Sequence, residues 1–253
     1  MPDGAWISVS VVSHGQGALV EPLLHQLAAC PDVGQVLLTR NIPEGEIRVP
    51  ESLVSRVSWI DNAEPKGFGA NHNAAVALAT GRFLCVLNPD IRLSEDPFAP
   101  LVRALEESAG RVALIAPGVT DPAGHLEDSV RRFPTVWGLF KKLIRVSDGR
   151  IPLDPTAAMT EVDWVAGMFL LIRTGEFLQV GGFDDAFFLY YEDVDLCERL
   201  HARGRGVAVC PSVLVVHDAR RQSHRNARYL KWHLGSMLRY FLKHPRRIFS
   251  VNT

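Results

Sequence analysis

Residues 56–90 read RVSWIDNAEPKGFGANHNAAVALATGRFLCVLNPD and contain one complete unit of strand, helix and strand. RVSWI and RFLCVL are short runs rich in β-branched and other apolar residues, the pattern of strands buried in a sheet. Between them, FGANHNAAVALATG has the spacing of a helix and ends at a glycine. This order predicts a βαβ unit, in which the two strands run parallel.

The same alternation extends along the chain on both sides of this unit. Strand patterns occur in ISVSVV, QVLLT and RVALIAP, and helical patterns occur in ALVEPLLHQLAAC and DPFAPLVRALEESAG. After a loop-rich region, VDWVAGMFLLIRTGEFLQV indicates a strand and a short helix, and GVAVCPSVLVVH indicates one long or two short strands ending at His217. Repeated βαβ units predict an α/β protein with a Rossmann-like, mostly parallel central sheet flanked by helices.

The composition is that of a globular protein. Of the 253 residues, 47% are hydrophobic and 22% are charged, which suits one domain, or one domain with a small appendage, and argues against disorder. The four cysteines form no CxxC pair, so we expect a reducing compartment and neither a zinc knuckle nor a disulfide framework. We also expect no signal peptide and no membrane-spanning stretch, and hence a cytoplasmic protein.

Polar residues follow the predicted strands. Ligands of open α/β sheets bind beyond the carboxyl ends of the strands, so these residues are the first candidates for a binding site. They are Ser13, Arg40, Asn41, Asp61, Asn62, Asn88 and Asp90. Asp90 offers a hard oxygen ligand for Mg²⁺ or Mn²⁺, which needs few protein ligands when phosphates and water complete its octahedron. The alternative for Asn88-Pro89-Asp90 is a plain turn, since all three residue types favour turns.

The loop KGFGANHN lies between the third and fourth strands. Its glycines, including Gly67, permit a close approach of the backbone to a ligand, and Asn73 offers an amide donor. Such a loop suits a phosphate or a sugar, although it does not have the pattern of a Walker loop.

A dense group of acids lies in residues 181–200, GGFDDAFFLYYEDVDLCERL. Apart from Glu198, its acids are Asp184, Asp185, Glu192, Asp193 and Asp195. Soluble cores rarely bury so many acids, so the segment is a candidate wall of a working site and the first place to look for a catalytic base. The alternative is an ordinary helix start, because the macrodipole and the unpaired amides favour acids in a first turn.

In their order, these motifs resemble a known family, the family 2 glycosyltransferases of the GT-A fold. The resemblance rests on VSVVSHG, on KGFGANHNAA leading to FLCVLNPDIRL, on the segment WVAGMFLLIRTGEFLQVGGFDDAFFLYYEDVDLCERLHARG, and on CPSVLVVHDARRQS. It covers most of residues 6–224. Within the family, NPD and SVRRFP look most like bacterial rhamnosyltransferases that build surface polysaccharides.

The resemblance implies transfer of a sugar from a nucleotide diphosphate donor to an acceptor hydroxyl, with inversion at the anomeric carbon. The Asp-x-Asp metal motif of the family corresponds to Asn88-Pro89-Asp90. Asp90 is therefore the implied ligand of Mg²⁺ or Mn²⁺ and of the diphosphate, while Asn88 can give no more than a neutral contact. His217 matches a downstream histidine that completes metal coordination in some relatives.

The ED motif of the family corresponds to Glu192 and Asp193. Its aspartate acts as general base, and an inverting displacement needs a group that accepts the proton of the acceptor, so Asp193 is the implied base. Glu192 would position the base or hold an acceptor hydroxyl. Asp184, Asp185 and Tyr191 are expected nearer the acceptor, a glycan or a lipid-linked sugar.

One departure from the family concerns the nucleotide. Family members commonly carry an acidic residue with Asn and Ser at the end of the second strand, where this chain has Leu38-Thr39-Arg40-Asn41-Ile42. Other residues at strand ends would then contact the base. The implied donor-binding residues are Ser13, Arg40, Asp61, Asn62, Gly67, Asn73, Asn88 and Asp90. By resemblance, the expected donor is deoxythymidine diphosphate rhamnose, with a UDP sugar as the runner-up.

A basic C-terminal part follows an acidic body. Residues 219–253 contain nine Lys or Arg and no Asp or Glu. We expect a glycosyltransferase domain at residues 1–224 and a basic helical extension, residues 225–253, packed on it. On a helical wheel, one face carries Ala227, Leu230, Leu234, Met237, Leu238 and Phe241, and the opposite face carries Arg228, Lys231, Arg239 and Lys243.

Two interpretations of this extension remain open. Its apolar face packs on the domain while its basic face is solvated, or the helix attaches the protein to an anionic inner membrane surface. The basic residues around Tyr229 and Trp232 also leave a nucleic-acid-binding α/β protein as an alternative function, with salt-sensitive binding that does not need Asp193. A further alternative is a nucleotidyltransferase of the same fold, which would release pyrophosphate.

Overall fold

The computed structural model describes residues 6–143, 151–218 and 227–249. The basic stretch predicted directly after Asp218 lies outside the described residues, as do residues 225, 226 and 250–253 of the predicted extension.

Eleven strands and nine helices make up this part of the chain. The strands are β1 Ile7–Ser13, β2 Val33–Arg40, β3 Val57–Asp61, β4 Phe83–Leu87, β5 Ile91–Arg92, β6 Val112–Thr120, β7 Val130–Arg131, β8 Thr160–Val162, β9 Trp164–Val165, β10 Phe169–Arg173 and β11 Gly206–His217. The helices are α1 Gly17–Ala28, α2 Glu51–Val54, α3 Phe68–Val76, α4 Phe98–Glu107, α5 Val136–Leu143, α6 Thr174–Gln179, α7 Glu192–Ala202, α8 Ala227–Lys243 and α9 Arg246–Phe249.

The central sheet has the strand order β3-β2-β1-β4-β10-β6-β11-β5, and β8 also pairs with β11. Strands β3, β2, β1 and β4 pair parallel with one another in that order, and β6 pairs parallel with β11. This arrangement confirms the predicted mostly parallel sheet. The long strand predicted to end at His217 forms as one strand, with an irregular register between Cys210 and Leu214.

Both faces of the sheet are covered by apolar side chains. Successive residues of a strand point to opposite faces, so each strand contributes side chains to both. In β4, Cys85 and Leu87 pack with α1, α2 and α4 on one face. Leu84 and Val86 pack on the other face, with residues of α3, α6, α7 and α8. Burial of both faces explains why β1, β4 and β6 appear in the sequence as largely apolar runs. The prediction that RVSWI is a buried strand is wrong, because β3 is the edge strand of the sheet and is only partly buried, with Trp59 40% exposed.

Strand β10 runs antiparallel to both of its neighbours, β4 and β6. The residues that precede Phe169 therefore lie beside the end of β4, at the edge where Asn88 and Asp90 follow that strand. The backbone amide of Asn88 donates a hydrogen bond of 2.9 Å to the carbonyl of Met168. An antiparallel strand at this position thus brings a distant loop, residues 166–168, to the predicted site.

The C-terminal helix α8 packs on the body of the protein through Ser236, Tyr240 and Phe241, which are all buried, and the Tyr240 hydroxyl donates a hydrogen bond of 3.2 Å to Glu198 Oε2 of α7. Leu230, Leu234 and Leu238, which the helical wheel places on the packing face, are instead 60%, 49% and 61% exposed. Met237 and Phe241 of the predicted apolar face do pack on the core, so the prediction of a packing face is wrong for the three leucines only. The physical cause is that Ser236 and Tyr240 also face the body of the protein and leave the leucines on the outer side.

Two of the basic residues predicted on the opposite face, Lys231 and Arg239, lie beside the leucines instead. Lys231 lines the same surface hollow as Leu230, Leu234 and Leu238. Arg239 lines the next hollow along the helix, together with Leu238 and Leu242. Within the described part of the chain, no helix is both long enough and apolar enough to cross a membrane.

Candidate active site

The polar residues predicted to follow the strands meet at one edge of the sheet. Parallel pairing places Ser13 of β1 beside Arg40 of β2, and Arg40 beside Asp61 of β3. Strand β4 runs parallel to β1 and leads into the turn that contains Asp90. These candidates therefore share the carboxyl edge of the sheet, which is where ligands of α/β proteins bind.

Asp90 and His217, predicted together as metal ligands, are in contact. Strand β5 pairs with the end of β11, and His217 Nε2 lies 3.3 Å from Asp90 Oδ2. On its other side, His217 Nδ1 lies 2.6 Å from Glu127 Oε2. Burial alone would lower the pKa of His217, but the hydrogen bonds to Asp90 and Glu127 outweigh it and raise the pKa to about 9. Glu127 belongs to no motif recognised in the sequence, so the structure adds it to the predicted pair.

The second carboxylate oxygen of Asp90, Oδ1, is buried and has no hydrogen-bond partner among the described residues. Such an atom is costly in a folded protein, so it suits contact with a group that the chain itself does not supply. Within residues 6–143, 151–218 and 227–249, no three His, Cys, Asp or Glu side chains are placed to hold a metal ion. A cation at Asp90 would therefore need further oxygen ligands from substrate or water.

Asp193, the predicted base, lies half-buried in the first turn of α7. Its Oδ2 accepts a hydrogen bond of 2.9 Å from the amide of Gly167, and its Oδ1 accepts one of 2.8 Å from the amide of Val194. Burial raises the pKa of Asp193 above its ordinary value, and the amide hydrogen bonds limit the rise. A carboxylate that is held in place and has a raised pKa has the properties of a general base.

One short loop connects the two candidate catalytic carboxylates. Gly167 donates its amide to Asp193, and the next residue, Met168, accepts the amide of Asn88 through its carbonyl. Asn88 begins the turn that carries Asp90. The Asp193 carboxylate and the turn that carries Asp90, about a hundred residues apart in the chain, are therefore both hydrogen-bonded to backbone groups of the same loop.

The backbone before Asp193 is strained. Tyr190 and Tyr191 both adopt the left-handed conformation, with φ of 71° and 69°. Each such residue costs about 1–3 kcal/mol and persists where surrounding contacts impose it. Helix α8 supplies two of those contacts, because Ser236 Oγ donates a hydrogen bond of 2.9 Å to the Leu189 carbonyl and the ring of Tyr240 lies 5.4 Å from that of Tyr191. Helix α8 thus supports the backbone that presents the acids.

Glu192 is buried beside Asp193. Its Oε2 has no hydrogen-bond partner among the described residues. Burial, and then the charge of Asp193, raise the pKa of Glu192 well above its ordinary value. This environment favours the protonated form, so Glu192 is placed to donate a hydrogen bond rather than to carry a charge.

Asp195, in the same turn, is fully buried and ion-paired. Its carboxylate lies 2.7 Å from Arg199 Nε, 2.8 Å from Lys243 Nζ and 2.8 Å from His244 Nε2. Burial by itself raises its pKa, but the hydrogen bond from His244 and the charges of Arg199 and Lys243 lower the pKa to about 2. This acid therefore anchors the end of α8 to α7.

Asn73, predicted to contact the donor, holds the acidic segment. Its Nδ2 donates hydrogen bonds to the Phe183 carbonyl at 2.8 Å and to Asp185 Oδ1 at 2.7 Å, and its Oδ1 accepts the Phe183 amide at 2.9 Å. Gly182 has a φ of 65°, and a Cβ there would lie 2.5 Å from Asn73 Oδ1. The Gly-Gly bend and Asn73 thus fit each other closely.

The residues predicted to lie near the acceptor also form contacts within the protein. Asp184 Oδ2 lies 2.6 Å from Lys243 Nζ at the end of α8. Asp185 accepts the hydrogen bond from Asn73. Tyr191 is buried at the contact with α8. Their positions fix the acidic segment between α3 and α8.

The glycine-rich loop packs directly against the aromatic run before Asp193. The amide of Phe68 donates a hydrogen bond of 2.9 Å to the Phe188 carbonyl. A Cβ at Gly67 would lie 2.5 Å from that same carbonyl oxygen, so the close approach requires glycine. Gly67 therefore allows the contact between the loop and the aromatic run.

A network of asparagines holds the other end of this loop. Asn62 Nδ2 donates to Asn41 Oδ1 at 2.9 Å and to Asn71 Oδ1 at 2.6 Å. Asn41 Oδ1 also accepts the Lys66 amide at 2.8 Å. The amide of Asn62, predicted to contact the donor, is thus used to order residues 62–67, and Asn41 and Asn71 share that task.

Ser13 and Arg40, at the ends of the first two strands, each pair with an acid. Ser13 Oγ donates a hydrogen bond of 2.8 Å to Glu44 Oε2, while Glu44 Oε1 is buried and has no hydrogen-bond partner among the described residues. Arg40 forms a two-pronged ion pair with Asp61 at 2.5 and 2.8 Å and lies over the ring of Trp59. Glu44, like Glu127, belongs to no recognised motif.

The fold, a mostly parallel sheet flanked by helices, matches that of solved glycosyltransferases with the GT-A fold. The structure of GalNAc-T7 with UDP, GalNAc and Mn²⁺ matches with a TM-score of 0.65 at 16% identity, over 88% of this chain and 45% of that one. The mannosyltransferase PcManGT of Pyrobaculum calidifontis, in complex with GDP-Man and Mn²⁺, matches with a TM-score of 0.60 at 14% identity, over 97% of this chain and 65% of that one.

Sequence comparison gives the family. The model of the glycosyltransferase-like family 2 matches residues 2–235, and the chain belongs to this family of glycosyltransferases. It is 29% identical to the rhamnosyltransferase WbbL of Escherichia coli (strain K12), over 96% of this chain and 95% of that protein. It is 30% identical to the N-acetylglucosaminyl-diphospho-decaprenol L-rhamnosyltransferase of Mycobacterium tuberculosis, over 91% of this chain and 80% of that protein.

Proposed function

We propose that the chain is an inverting glycosyltransferase in which Asp193 is the general base and Asp90 holds the donor side of the site. The observation that carries this proposal is the loop at Gly167 and Met168. Its Gly167 amide donates a hydrogen bond of 2.9 Å to the Asp193 carboxylate, and its Met168 carbonyl accepts one of 2.9 Å from the Asn88 amide. A base for the acceptor and a carboxylate for the diphosphate then stand on the two sides of one loop.

In the proposed reaction, Asp193 takes the proton of an acceptor hydroxyl while the hydroxyl oxygen attacks the anomeric carbon of the donor sugar. The bond between that carbon and the diphosphate oxygen breaks, and the nucleoside diphosphate leaves with the electron pair. Attack opposite the leaving group inverts the anomeric carbon. Glu192, in its protonated form, would donate a hydrogen bond that positions the acceptor or the base.

The donor site fits a divalent cation, for which Mg²⁺ and Mn²⁺ are the candidates. Among the residues that the structure describes, none gives Asp90 Oδ1 a hydrogen bond although this atom is buried, which would suit contact with a cation whose other ligands come from substrate and water. His217 would be the second ligand from the chain, and Glu127 would orient its ring through the hydrogen bond at Nδ1. A cation held there supplies positive charge that stabilises the departing diphosphate.

The names of the relatives favour rhamnose as the transferred sugar. Both bacterial relatives are named as rhamnosyltransferases, and the mycobacterial name specifies an acceptor linked to decaprenol through a diphosphate. We therefore propose deoxythymidine diphosphate rhamnose as the donor and a lipid-linked glycan as the acceptor. A UDP sugar remains the second choice for the donor, and the expected location remains the cytoplasm.

Roles for the remaining predicted residues follow from their positions. Residues at the sheet edge are proposed to contact the nucleotide and sugar, either with side chains or by shaping the loop beside them. They are Ser13, Arg40, Asp61, Asn62, Gly67, Asn73 and Asn88. Asp184, Asp185 and Tyr191 are proposed to shape the acceptor side through the acidic segment.

The test is a panel of nucleotide sugars, assayed for binding and turnover with and without Mg²⁺ or Mn²⁺. The expected result is metal-dependent binding of one nucleotide diphosphate sugar, release of the nucleoside diphosphate, and a product of inverted configuration. Asp193→Asn should lower kcat by about 10²–10⁴-fold while the donor still binds. Asp32→Asn, a change remote from this edge, is the control. Release of pyrophosphate, or wild-type turnover by Asp193→Asn, would contradict the proposal.

A further inference from the structure

Helix α8 exposes four leucines in a row along its outer side. Leu230, Leu234, Leu238 and Leu242 recur every four residues and are 60%, 49%, 61% and 72% exposed. We refer to these four residues as the leucine stripe. Side chains four apart lie on nearly the same side of a helix, so the stripe is a continuous apolar surface rather than scattered residues.

Cationic side chains border the leucine stripe. Lys231 lines a shallow hollow with Leu230, Leu234 and Leu238, and Arg239 lines a second hollow beside Leu238 and Leu242. Residues 227–249 contain no Asp or Glu. The surface that α8 presents is therefore apolar and positively charged at the same time.

The opposite side of α8 is fixed to the body of the protein. Asp195 pairs with Lys243 and His244 at one end of the contact. Ser236 bonds to the Leu189 carbonyl, and the ring of Trp232 lies 4.8 Å from that of Phe188. Because these contacts hold α8 against the aromatic run that leads to Asp193, the leucine stripe has a fixed orientation relative to the active site.

We propose that the leucine stripe docks on the surface of an anionic lipid bilayer, with α8 lying in the plane of the membrane. Leucine side chains would enter the boundary between headgroups and acyl chains, while Lys231 and Arg239 would contact anionic headgroups. Phe249, which is 84% exposed in the following helix α9, would add an apolar anchor at the end of the same extension.

Charge distinguishes this partner from a second copy of the chain. Two copies that met through their leucine stripes would bring Lys231 and Arg239 of both helices together. The helix supplies no acid to offset them, and like charges at such distances repel. Asp184, the acid that lines the second hollow, is already paired with Lys243. An anionic surface satisfies both the leucines and the cations.

Docking of this kind would keep Asp193 close to the bilayer surface. The purpose of this docking rests on the proposed function, since a lipid-linked acceptor would be presented at the bilayer surface. Bilayer binding itself requires neither donor nor turnover. Failure of docking and failure of the proposed reaction can therefore be observed separately.

The test is cosedimentation of the full-length chain, without donor, with vesicles of phosphatidylethanolamine and phosphatidylglycerol and with vesicles of phosphatidylcholine alone. The expected result is binding to the anionic vesicles that weakens about tenfold or more between 0.1 M and 0.5 M salt, and little binding to phosphatidylcholine. Equal binding to both vesicle types, or none to either, would overturn the proposal.

Matched double variants locate the contact. Leu234→Gln with Leu238→Gln should weaken binding about tenfold or more, because two apolar side chains no longer enter the bilayer. The control is Leu78→Gln with Leu178→Gln, which changes leucines of similar exposure, 52% and 59%, elsewhere on the surface. Lys231→Gln with Arg239→Gln should weaken binding by a similar factor, and Arg48→Gln with Arg103→Gln is the charge control.

Donor binding should be unchanged in the Leu234 and Leu238 variant, which shows that it is folded. Sedimentation velocity in the absence of vesicles tests the other partner. A concentration-dependent dimer that disappears in this variant would assign the leucine stripe to contact between copies and overturn membrane docking. Equal loss of vesicle binding in the leucine variant and in its control would also overturn it.

Discussion

His244 Nε2 lies 2.8 Å from Asp195 Oδ1, and this contact fastens the end of α8 to the helix that carries the proposed base. Asp195 is fully buried, and Arg199 and Lys243 complete its ion pairs. The C-terminal extension is thus attached at the same turn that presents Asp193. Loss of this attachment is expected to lower the stability of the protein and to disturb the position of Asp193.

Asp195→Asn is expected to destabilise the protein by about 3–5 kcal/mol at neutral pH, because it leaves buried cations without their partner.

The pKa of Asp195 is lowered from 3.8 to about 2 by folding. Its contribution, about 2 kcal/mol by linkage, is therefore fully present above pH 4 and is lost as the pH falls toward 2. Urea unfolding of both proteins from pH 7 to pH 2 checks this. A stability difference that does not shrink below pH 4 would contradict it, and Asp61→Asn, in an exposed ion pair, should change little.

The raised pKa of Asp193 predicts the acid limb of the activity profile. A general base works in its ionised form, so activity should fall as the pH drops through the pKa of the folded carboxyl. Because burial raises that pKa, the fall should begin at a higher pH than for an ordinary aspartate. The measurement is kcat/KM against pH with saturating metal. An acid limb at 3.8, the ordinary value, would argue against Asp193 as the base.

Glu127→Gln is expected to weaken Mn²⁺ binding by about 10–100-fold, because Glu127 holds the ring of His217 through a hydrogen bond of 2.6 Å. Titration of the protein with Mn²⁺ in the presence of a nucleoside diphosphate measures the effect. Glu161→Gln, which alters an exposed ion pair with Arg111, serves as the control. Unchanged Mn²⁺ affinity in Glu127→Gln would show that metal binding does not depend on His217, or does not depend on the orientation that Glu127 gives its ring.

Gly181→Ala and Gly182→Ala form a matched pair at the bend before the acidic segment. Both glycines have positive φ, 84° and 65°, so both changes add the strain of a left-handed residue, about 1–2 kcal/mol. A Cβ at Gly181 has open space, whereas one at Gly182 would lie 2.5 Å from Asn73 Oδ1. Gly182→Ala should therefore cost about 1–3 kcal/mol more. Thermal or urea unfolding checks the difference, and equal destabilisation would show that the contact with Asn73 gives way freely.

Local sequence patterns predict much of this fold. The apolar runs of β1, β2, β4 and β6 are identifiable because burial on both faces of a sheet leaves a simple signature. The helical patterns of α1, α3 and α4 are identifiable from their spacing and their boundary residues. The same reasoning predicts which polar residues follow the strands and so share one edge. Strand order is not local, and nothing in the run FLLIR shows that β10 pairs antiparallel between β4 and β6.

The site was only partly predictable for the same reason. Asp90, Asp193 and His217 stand in motifs, and the contact of Asp90 with His217 agrees with their pairing in the sequence-based hypothesis. Glu44 and Glu127 come from loops, and their contacts join residues 31 and 90 positions apart. An acid in a loop carries no pattern of its own, so its partner emerges only from the fold. Leu230, Leu234 and Leu238 do not pack on the domain as predicted, because a helical wheel shows which residues share a face but does not show which face contacts the domain.

The position of β10 also sets the order in which the chain can assemble. Strands β1, β2, β3 and β4 pair among themselves, so that half of the sheet can form once residue 87 has been made. The two strands that flank β6, β10 and β11, both come later in the sequence. All nine residues of β6 are buried in the finished protein. During synthesis this strand must therefore wait without its neighbours, and an unpaired apolar strand of this kind favours aggregation until β10 and β11 have been made.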